Sequence, residues 1–417
     1  MKKKKKIRVA VLVDLFLNQQ AGGHVKYWQR ISESISILKI DYHITIFFLG
    51  LKNEKSQINR NINFVTIKPL VSSGMLKFIG IDADITDLSP INLRLFLLLK
   101  KFNIIHTTDQ FFSMSRTAKL ASKIFKIPLT TSIHTDTPPY ARYYIEKILK
   151  KLTLFKLGEF LIQKKRVPEI YEKKMFNKVC NYIKLCNSAM VADKIYSPTN
   201  LKKITGNKNI TKLNRGINKD VFNQKQNKKN IYKKYGISEN DNLIFFSGRI
   251  HELKGALLLA NIHKSLIKKK INITTLMAGD DIHGDLCKKI APKKLKLLGY
   301  LSQSELADLY KVCDLFVFPS KFEIGPNVVL EAKACGAVCV VSPGGGGKRI
   351  DYPDADGVII NKWDLNLWVK TIENLLKNQS KITKIKNFLR KHNEVNSWEE
   401  IFTNEILPHW INIEKKK

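Results

Sequence analysis

Two glutamates, Glu323 and Glu331, are separated by seven residues across a Gly325-Pro326 turn, just after the apolar run Leu315 to Phe318. Carboxylates accept hydrogen bonds from paired hydroxyls, so such a pair suits a sugar or a ribose. The turn should open a helix, with Glu323 at a strand end and Glu331 two helical turns inside. Backbone N–H groups between them would meet a ligand with the positive end of the helix dipole. A loop Glu and a helix Glu paired with a nearby Lys fit the same letters. Ser247-Gly248-Arg249 through Lys254-Gly255 follows another apolar run, Leu243 to Phe246. Arg grips phosphate oxygens bidentately and Lys adds a point charge, at the strand end where open α/β sheets bind ligands. Solvated loop cations are the plainer reading. His134 follows the apolar stretch from Leu129, and His106 ends Ile104-Ile105-His106. Either is a reactive imidazole or a core histidine with both nitrogens satisfied.

Other patterns carry less. Asp82-Ala83-Asp84 and Asp354-Ala355-Asp356 have the spacing of a metal–diphosphate clamp, but neither follows an apolar strand, and they read as loop acids. Gly344-Gly345-Gly346-Gly347-Lys348 lacks the first glycine of a nucleotide-binding P-loop, because Ser342 holds that position. Its turn either offers N–H groups to an anion or is simply tight. The cysteines Cys180, Cys186, Cys287, Cys313, Cys335 and Cys339 form no C-x-x-C pair, so reduced, mostly buried thiols are expected and zinc is not.

Positioning these groups requires a scaffold. Continuous apolar runs such as Ile7 to Val13, Tyr42 to Leu49, Ile273 to Ala278 and Val338 to Val341 alternate with helical stretches. Parallel strands covered on both faces read this way, and the alternation is that of doubly wound α/β domains. The 417 residues suit two domains. We read 1–215 as one Rossmann-like domain, 216–395 as a second, and 396–417 as a closing helix that packs back on the first. From Tyr143 to Ala189 apolar residues recur at helical spacing with lysines between them, interrupted by Gly158 and Pro168.

Lys and Arg number 72 against 36 Asp and Glu, a formal net charge of +36. Such an excess attracts polyanions, or reflects a lysine-rich composition on a solvated surface. The aromatics do not interleave with Lys and Arg as a single-strand stacking platform requires, so nucleic acid is not an expected partner. No apolar run nears the roughly 18 residues of a membrane span. Asp14 cuts the first apolar stretch too early for a secretory signal.

The sequence resembles the retaining glycosyltransferases of family 4, which have the GT-B architecture. Glu323 to Glu331 resembles their E-x7-E motif, continued by Ala332-Lys333-Ala334-Cys335-Gly336. Arg249 through Lys254-Gly255 resembles their phosphate-binding element, Gly22-Gly23 their N-terminal glycine loop, and Asn214 to Phe222 their interdomain segment. His134-Thr135-Asp136-Thr137-Pro138-Pro139-Tyr140-Ala141-Arg142-Tyr143-Tyr144 is similar to the lipid-glycosylating subgroup, which includes sulfoquinovosyl-diacylglycerol synthases and related mannosyl- and glucosyltransferases. The chain departs from the pattern at Gly325-Pro326, at Asn218 in place of Asp, and at Lys333 in place of Met.

The resemblance implies an α/β fold of two Rossmann-like doubly wound parallel-sheet domains facing a cleft. A hexose would pass from a nucleotide sugar, UDP-hexose or GDP-mannose, to an acceptor hydroxyl on a membrane lipid such as diacylglycerol. Arg249 and Lys254 would neutralise the diphosphate, Glu331 hold the ribose, and Glu323 the donor sugar. Gly22 and Gly23 would admit the phosphate, and Gly325, Asn327 and Val328 complete the donor site. His134 would orient the sugar at the reaction centre, with Asp136 and Tyr140 toward the acceptor. No metal or other cofactor is implied, since the cations stand where an ion would. The expected place is cytoplasmic, peripheral on the inner face of the membrane, with the basic region Arg142 to Lys174 on anionic lipid. Polysaccharide or polyprenyl-linked acceptors, a sugar-nucleotide epimerase, a silent nucleotide-sugar binder and a nucleic-acid binder are the competing classes.

Overall fold

The computed structural model describes residues 6–18, 22–38, 40–75, 84–152, 155–192, 197–224, 229–323, 325–392 and 394–414. It divides into two compact units, Met1–Asn214 with Trp398–Lys417, and Arg215–Ser397.

The N-terminal unit is built on an eight-stranded sheet of β1 (Ile7–Phe16), β2 (Tyr42–Leu49), β3 (Glu54–Asn59), β4 (Ile62–Ile67), β5 (Ile104–Thr107), β6 (Leu129–Ser132), β7 (Ser188–Val191) and β8 (Ile210–Lys212), in the order β3-β4-β2-β1-β5-β6-β7-β8. Every pairing is parallel except that of β3 with β4. β3 is exposed and polar and blunts that edge of the sheet. Val9 to Val13 are wholly buried in the centre, which explains their unbroken apolar run. Trp398, Ile401, Phe402, Ile406 and Trp410 share a core with Trp28 and Val9. Glu405 clasps Asn214 through the Asn backbone N–H and its side-chain amide, each at 2.6 Å.

In the C-terminal unit β9 (Asn242–Ser247), β10 (Ile273–Ala278), β11 (Leu295–Gly299), β12 (Leu315–Phe318), β13 (Cys339–Val341) and β14 (Val358–Ile359) form an all-parallel sheet in the order β11-β10-β9-β12-β13-β14. The strand order reverses between β9 and β12, so the loops leaving these two strands diverge there. Such a switch point is where doubly wound sheets bind ligands.

The structure adds detail after His134 and corrects the placement of Glu331. A helix, Thr137–Leu152, begins three residues after His134. Pro138 and Pro139 sit in its first turn, where N–H groups have no intrahelical partner to lose. Glu331 is the fifth residue of the helix Asn327–Ala334, little more than one turn inside, because Pro326 is the N-cap in an extended conformation. Asp356 lies in a turn, as a loop acid does, but it is not solvated. It is buried, with Oδ2 2.6 Å from Lys333 Nζ, and its carboxylate also accepts the Asp351 and Tyr352 N–H groups. Asp354 pairs instead with the exposed Lys381, so the two acids do not converge. Asp82 and Ala83 lie outside the described residues.

Candidate functional site

The loop after β9 carries the two cations. Gly248 has a φ of +141° and Gly279, after β10, one of +138°, and a Cβ on Gly279 would collide with the Gly248 carbonyl. Only glycines let these strand ends approach so closely. Arg249 leaves this turn, with Nε 3.9 Å from Asp280 Oδ2. Lys254 closes a short 3-10 turn whose C-cap, Gly255, has a φ of +81° and packs on Pro319. That contact couples the β9 loop to the β12 loop. The Lys321 N–H donates to Leu253 O at 2.8 Å and the Ser320 hydroxyl to the same carbonyl at 3.2 Å.

These loops bring Lys254 and Glu323 together. Lys254 Nζ donates to Glu323 Oε1, and Ser320 Oγ lies 3.1 Å from that oxygen, so its single proton is shared between it and Leu253 O. Lysine and glutamate are 23% and 17% exposed, so the pair is shielded but still open to solvent on one side. Glu331 is half-buried, and its charge helps hold the Tyr310 phenol well above its usual pKa, after burial. The Tyr310 hydroxyl is 2.5 Å from Ser247 Oγ, the residue two before Arg249. Glu331 therefore lies beside the same strand end as the cations. Asn327 Nδ2 donates to Gly216 O at 3.1 Å, tying the helix start to the opening segment of the unit. Gly325 is buried against Arg349, and Val328 is half-buried in the first helical turn.

The glycine-rich turn is structural. Ser342 absorbs three of its N–H groups: Gly345 donates to Ser342 Oγ at 3.0 Å, Gly346 and Gly347 to Ser342 O at 3.1 and 2.9 Å. Cβ atoms on Gly344 and Gly345 would strike the backbone of Lys321 and Ser320. Its job is to seat the Glu323 loop, whose N–H donates to Gly344 O at 2.8 Å.

His134 lies in the N-terminal unit, two residues beyond β6, and is buried. Gly22 is the N-cap and Gly23 the first residue of the helix Gly23–Ser34, which brings His24 into a stack on His134 (4.7 Å between centroids, 10° between planes). Tyr27 meets the same ring edge-on at 4.6 Å. A Cβ on Gly23 would meet nothing within 4 Å, so the unit's own packing does not demand glycine there. His106 is wholly buried, its ring nitrogens 2.7 Å from Thr130 Oγ1 and 2.8 Å from Ser132 Oγ. Asp136 and Tyr140 are half-buried at the start of the following helix. Sequence reasoning missed His24, Tyr27 and Ser132. Their signal, two aromatic rings spaced on the helix behind a glycine pair, was present but pointed equally to plain core.

Among the described residues no His, Cys, Asp and Glu cluster could hold a metal ion, and no helix is long and apolar enough to cross a membrane. All six cysteines are buried and unpaired with one another.

Residues 227–392, within the C-terminal unit, match the family described as glycosyl transferases group 1. An uncharacterized glycosyltransferase of Methanocaldococcus jannaschii is 31% identical over 137 residues, 32% of this chain and 35% of that one. The D-inositol 3-phosphate glycosyltransferase of Segniliparus rotundus is 26% identical over 150 residues, 34% and 33%. The UDP-Gal:alpha-D-GlcNAc-diphosphoundecaprenol alpha-1,3-galactosyltransferase of Escherichia coli is 24% identical over 172 residues, 39% and 44%. The chain thus matches less than half the length of each of these relatives. Two solved structures share the whole fold: sucrose-phosphate synthase from Thermosynechococcus elongatus (TM-score 0.74, 14% identity, 99% of this chain and 100% of that one) and HepE of Anabaena in complex with UDP and glucose (0.66, 14%, 95% and 98%). The fold is that of the GT-B glycosyltransferases.

Proposed function

We propose that this protein is a retaining, metal-independent glycosyltransferase that moves a hexose from a nucleotide sugar to a hydroxyl of a membrane lipid. The observation that carries the reading is the coupling of Lys254 to Glu323 through the β9 and β12 loops at the switch point. A cation for phosphate and a carboxylate for sugar hydroxyls stand side by side on the loops that leave these strands.

Arg249 and Lys254 hold the donor diphosphate. Their attraction grows as the bond from the anomeric carbon to the phosphate oxygen breaks and charge collects on the leaving group. Two fixed cations supply the stabilisation a divalent ion gives elsewhere, so the reaction runs without metal or cofactor. Glu331 takes the ribose hydroxyls and Glu323 the sugar hydroxyls, with Gly325, Asn327 and Val328 lining the donor. Gly22 and Gly23 leave backbone open to the phosphate. The acceptor oxygen bonds to the anomeric carbon on the face the phosphate leaves, and its proton passes to the leaving phosphate oxygen. His134 orients the sugar, and Asp136 and Tyr140 position the acceptor.

The donor is a UDP-hexose or GDP-mannose, and diacylglycerol is the first acceptor to try. HepE holds UDP and glucose in its own structure, and the Escherichia coli relative is named for a UDP-galactose donor and a diphosphoundecaprenol acceptor. These support a UDP donor and keep a polyprenyl-linked acceptor as the second reading. The protein works on the inner face of the cytoplasmic membrane. Exposed Leu157, Phe160, Ile170 and Tyr171 lie among exposed Lys164, Lys165, Arg166, Lys173 and Lys174, a pattern that suits anionic lipid and not nucleic acid. This is narrower than the Arg142 to Lys174 stretch, because Arg142 is bound to Glu169 and Glu172.

Thermal-shift screening of nucleotide sugars, then transfer of the labelled hit into a lipid extract, tests the reading. Stabilisation by a UDP- or GDP-sugar and a labelled lipid product are expected. Conversion of the sugar nucleotide without acceptor would instead establish an epimerase, and no nucleotide-sugar binding would end the proposal.

A further inference from the structure

Four groups buried in the N-terminal unit form one unbroken chain. Thr130 Oγ1 is 2.7 Å from His106 Nδ1, His106 Nε2 is 2.8 Å from Ser132 Oγ, and Ser132 Oγ is 2.7 Å from His134 Nε2. Thr130, His106 and Ser132 are wholly buried. We propose that Ser132 and His106 are positioning residues that hold His134 as its Nε2–H tautomer, with the lone pair of the ring on Nδ1.

Proton counting carries this. A neutral imidazole has one N–H and one lone pair, and a hydroxyl has one proton, so the chain has only two consistent proton orders. His106 is neutral, because burial and then His409 push it down to about 3. Thr130 Oγ1 also faces the Ile105 carbonyl oxygen at 3.4 Å, a group that can only accept. Given to that carbonyl, the Thr130 proton leaves its oxygen to accept from His106 Nδ1–H. His106 Nε2 then accepts the Ser132 proton, Ser132 Oγ accepts from His134 Nε2–H, and the lone pair of His134 falls on Nδ1. The ring is packed on its face and its edge. His24 is stacked on it, Tyr27 abuts it, and Trp28 lies edge-on to His106 at 5.3 Å and to His134 at 6.1 Å. A ring fixed in this way needs no reorganisation during the reaction.

This inference rests on the role given above to His134 only for its consequence in catalysis. The proton order is read independently, from long-range nitrogen–proton spectra of the full chain labelled at histidine, with His134 assigned through His134→Gln. His134 is expected as a single Nε2–H tautomer and His106 as Nδ1–H. Ser132→Ala should turn His134 into a tautomer mixture, and Ser132→Thr should restore one form. Thr130→Val, close in shape, removes the acceptor of His106 Nδ1–H and should loosen both rings, so the test survives a Ser132→Ala chain that fails to fold. In transfer with the donor found by screening, Ser132→Ala should lower kcat on the order of a hundredfold with donor KM unchanged, and Ser132→Thr should recover most of it. A native His134 protonated at Nδ1, or tautomers unmoved by Ser132→Ala or Thr130→Val, would overturn the proposal. The spectra report on the histidines whether or not any sugar is transferred, so failure of the functional reading would show separately.

Discussion

Lys333 Nζ lies 2.6 Å from Asp356 Oδ2, and both side chains are buried. Lys333 also donates to Arg349 O at 2.6 Å, while Asp356 takes the Asp351 and Tyr352 N–H groups. Two oddities of the sequence, a lysine where methionine is usual and a stray acidic triplet, are therefore one ion pair. Removing one partner strands the other charge. Lys333→Met should cost about 3 kcal/mol, read as a fall in the thermal midpoint. Lys333→Met with Asp356→Asn should recover much of it, since the amide oxygen still accepts and no charge is left. Equal losses in the single and double variants would show that the pair is not coupled.

In the proposed donor site Lys254 stands on the β9 loop and Glu331 on the helix Asn327–Ala334. Lys254→Ala and Glu331→Ala should each lower transfer about a hundredfold, the usual cost of one preorganised charge contact at a transition state, roughly 3 kcal/mol. The thermal midpoint should move far less than transfer does, because both side chains are only half-buried. Near-normal turnover in both variants would remove the assigned donor site.

What was legible in the sequence follows from what burial writes into it. β1, β9, β10 and β12 are covered on both faces, so they read as apolar runs, and their ends place Arg249, Lys254 and Glu323 without any structure. The tertiary meaning of other residues was not written locally. β7 and β8 are only Ser188–Val191 and Ile210–Lys212, too short for a periodic signal. The stack of His24 and His134 joins residues far apart in sequence, and the Lys333–Asp356 pair crosses a strand and two turns. The glycine run was ambiguous for a local reason: a tight turn and an anion nest use the same residues, and only the position of Ser342 decides between them.

The Phe160–Ile170 surface carries a prediction about membranes. Phe160 and Ile170 are exposed, and Lys165 Nζ lies 5.7 Å over the Phe160 ring. An apolar tip with flanking cations binds anionic vesicles through both terms, so salt should weaken the binding without abolishing it. Phe160→Ser with Ile170→Ser should release the protein from phosphatidylglycerol vesicles in flotation, while transfer to a short-chain, detergent-soluble acceptor persists. No flotation of the unaltered protein at low salt would refute membrane docking here.

His106 makes the N-terminal unit sensitive to acid. Folding lowers its pKa from 6.5 to about 3, by burial first and then by His409. Above pH 6.5 the ring is neutral in both states and contributes no pH dependence. Below that the unfolded chain gains a proton the folded chain refuses, so stability falls as pH drops toward 3. At pH 5 the loss is about 2 kcal/mol by linkage. His409 is lowered by burial and acts in the same direction. Asp14 acts in the opposite sense: burial and the charge of Asp109 raise its carboxyl, so the folded state takes up that proton first as pH falls. Comparing the native chain with His106→Gln cancels both terms. The thermal midpoint should drop more between pH 7 and pH 5 in the native chain than in the variant, by the equivalent of about 2 kcal/mol. Parallel midpoints across that range would show that the ring is charged, or reached by water, in the folded protein.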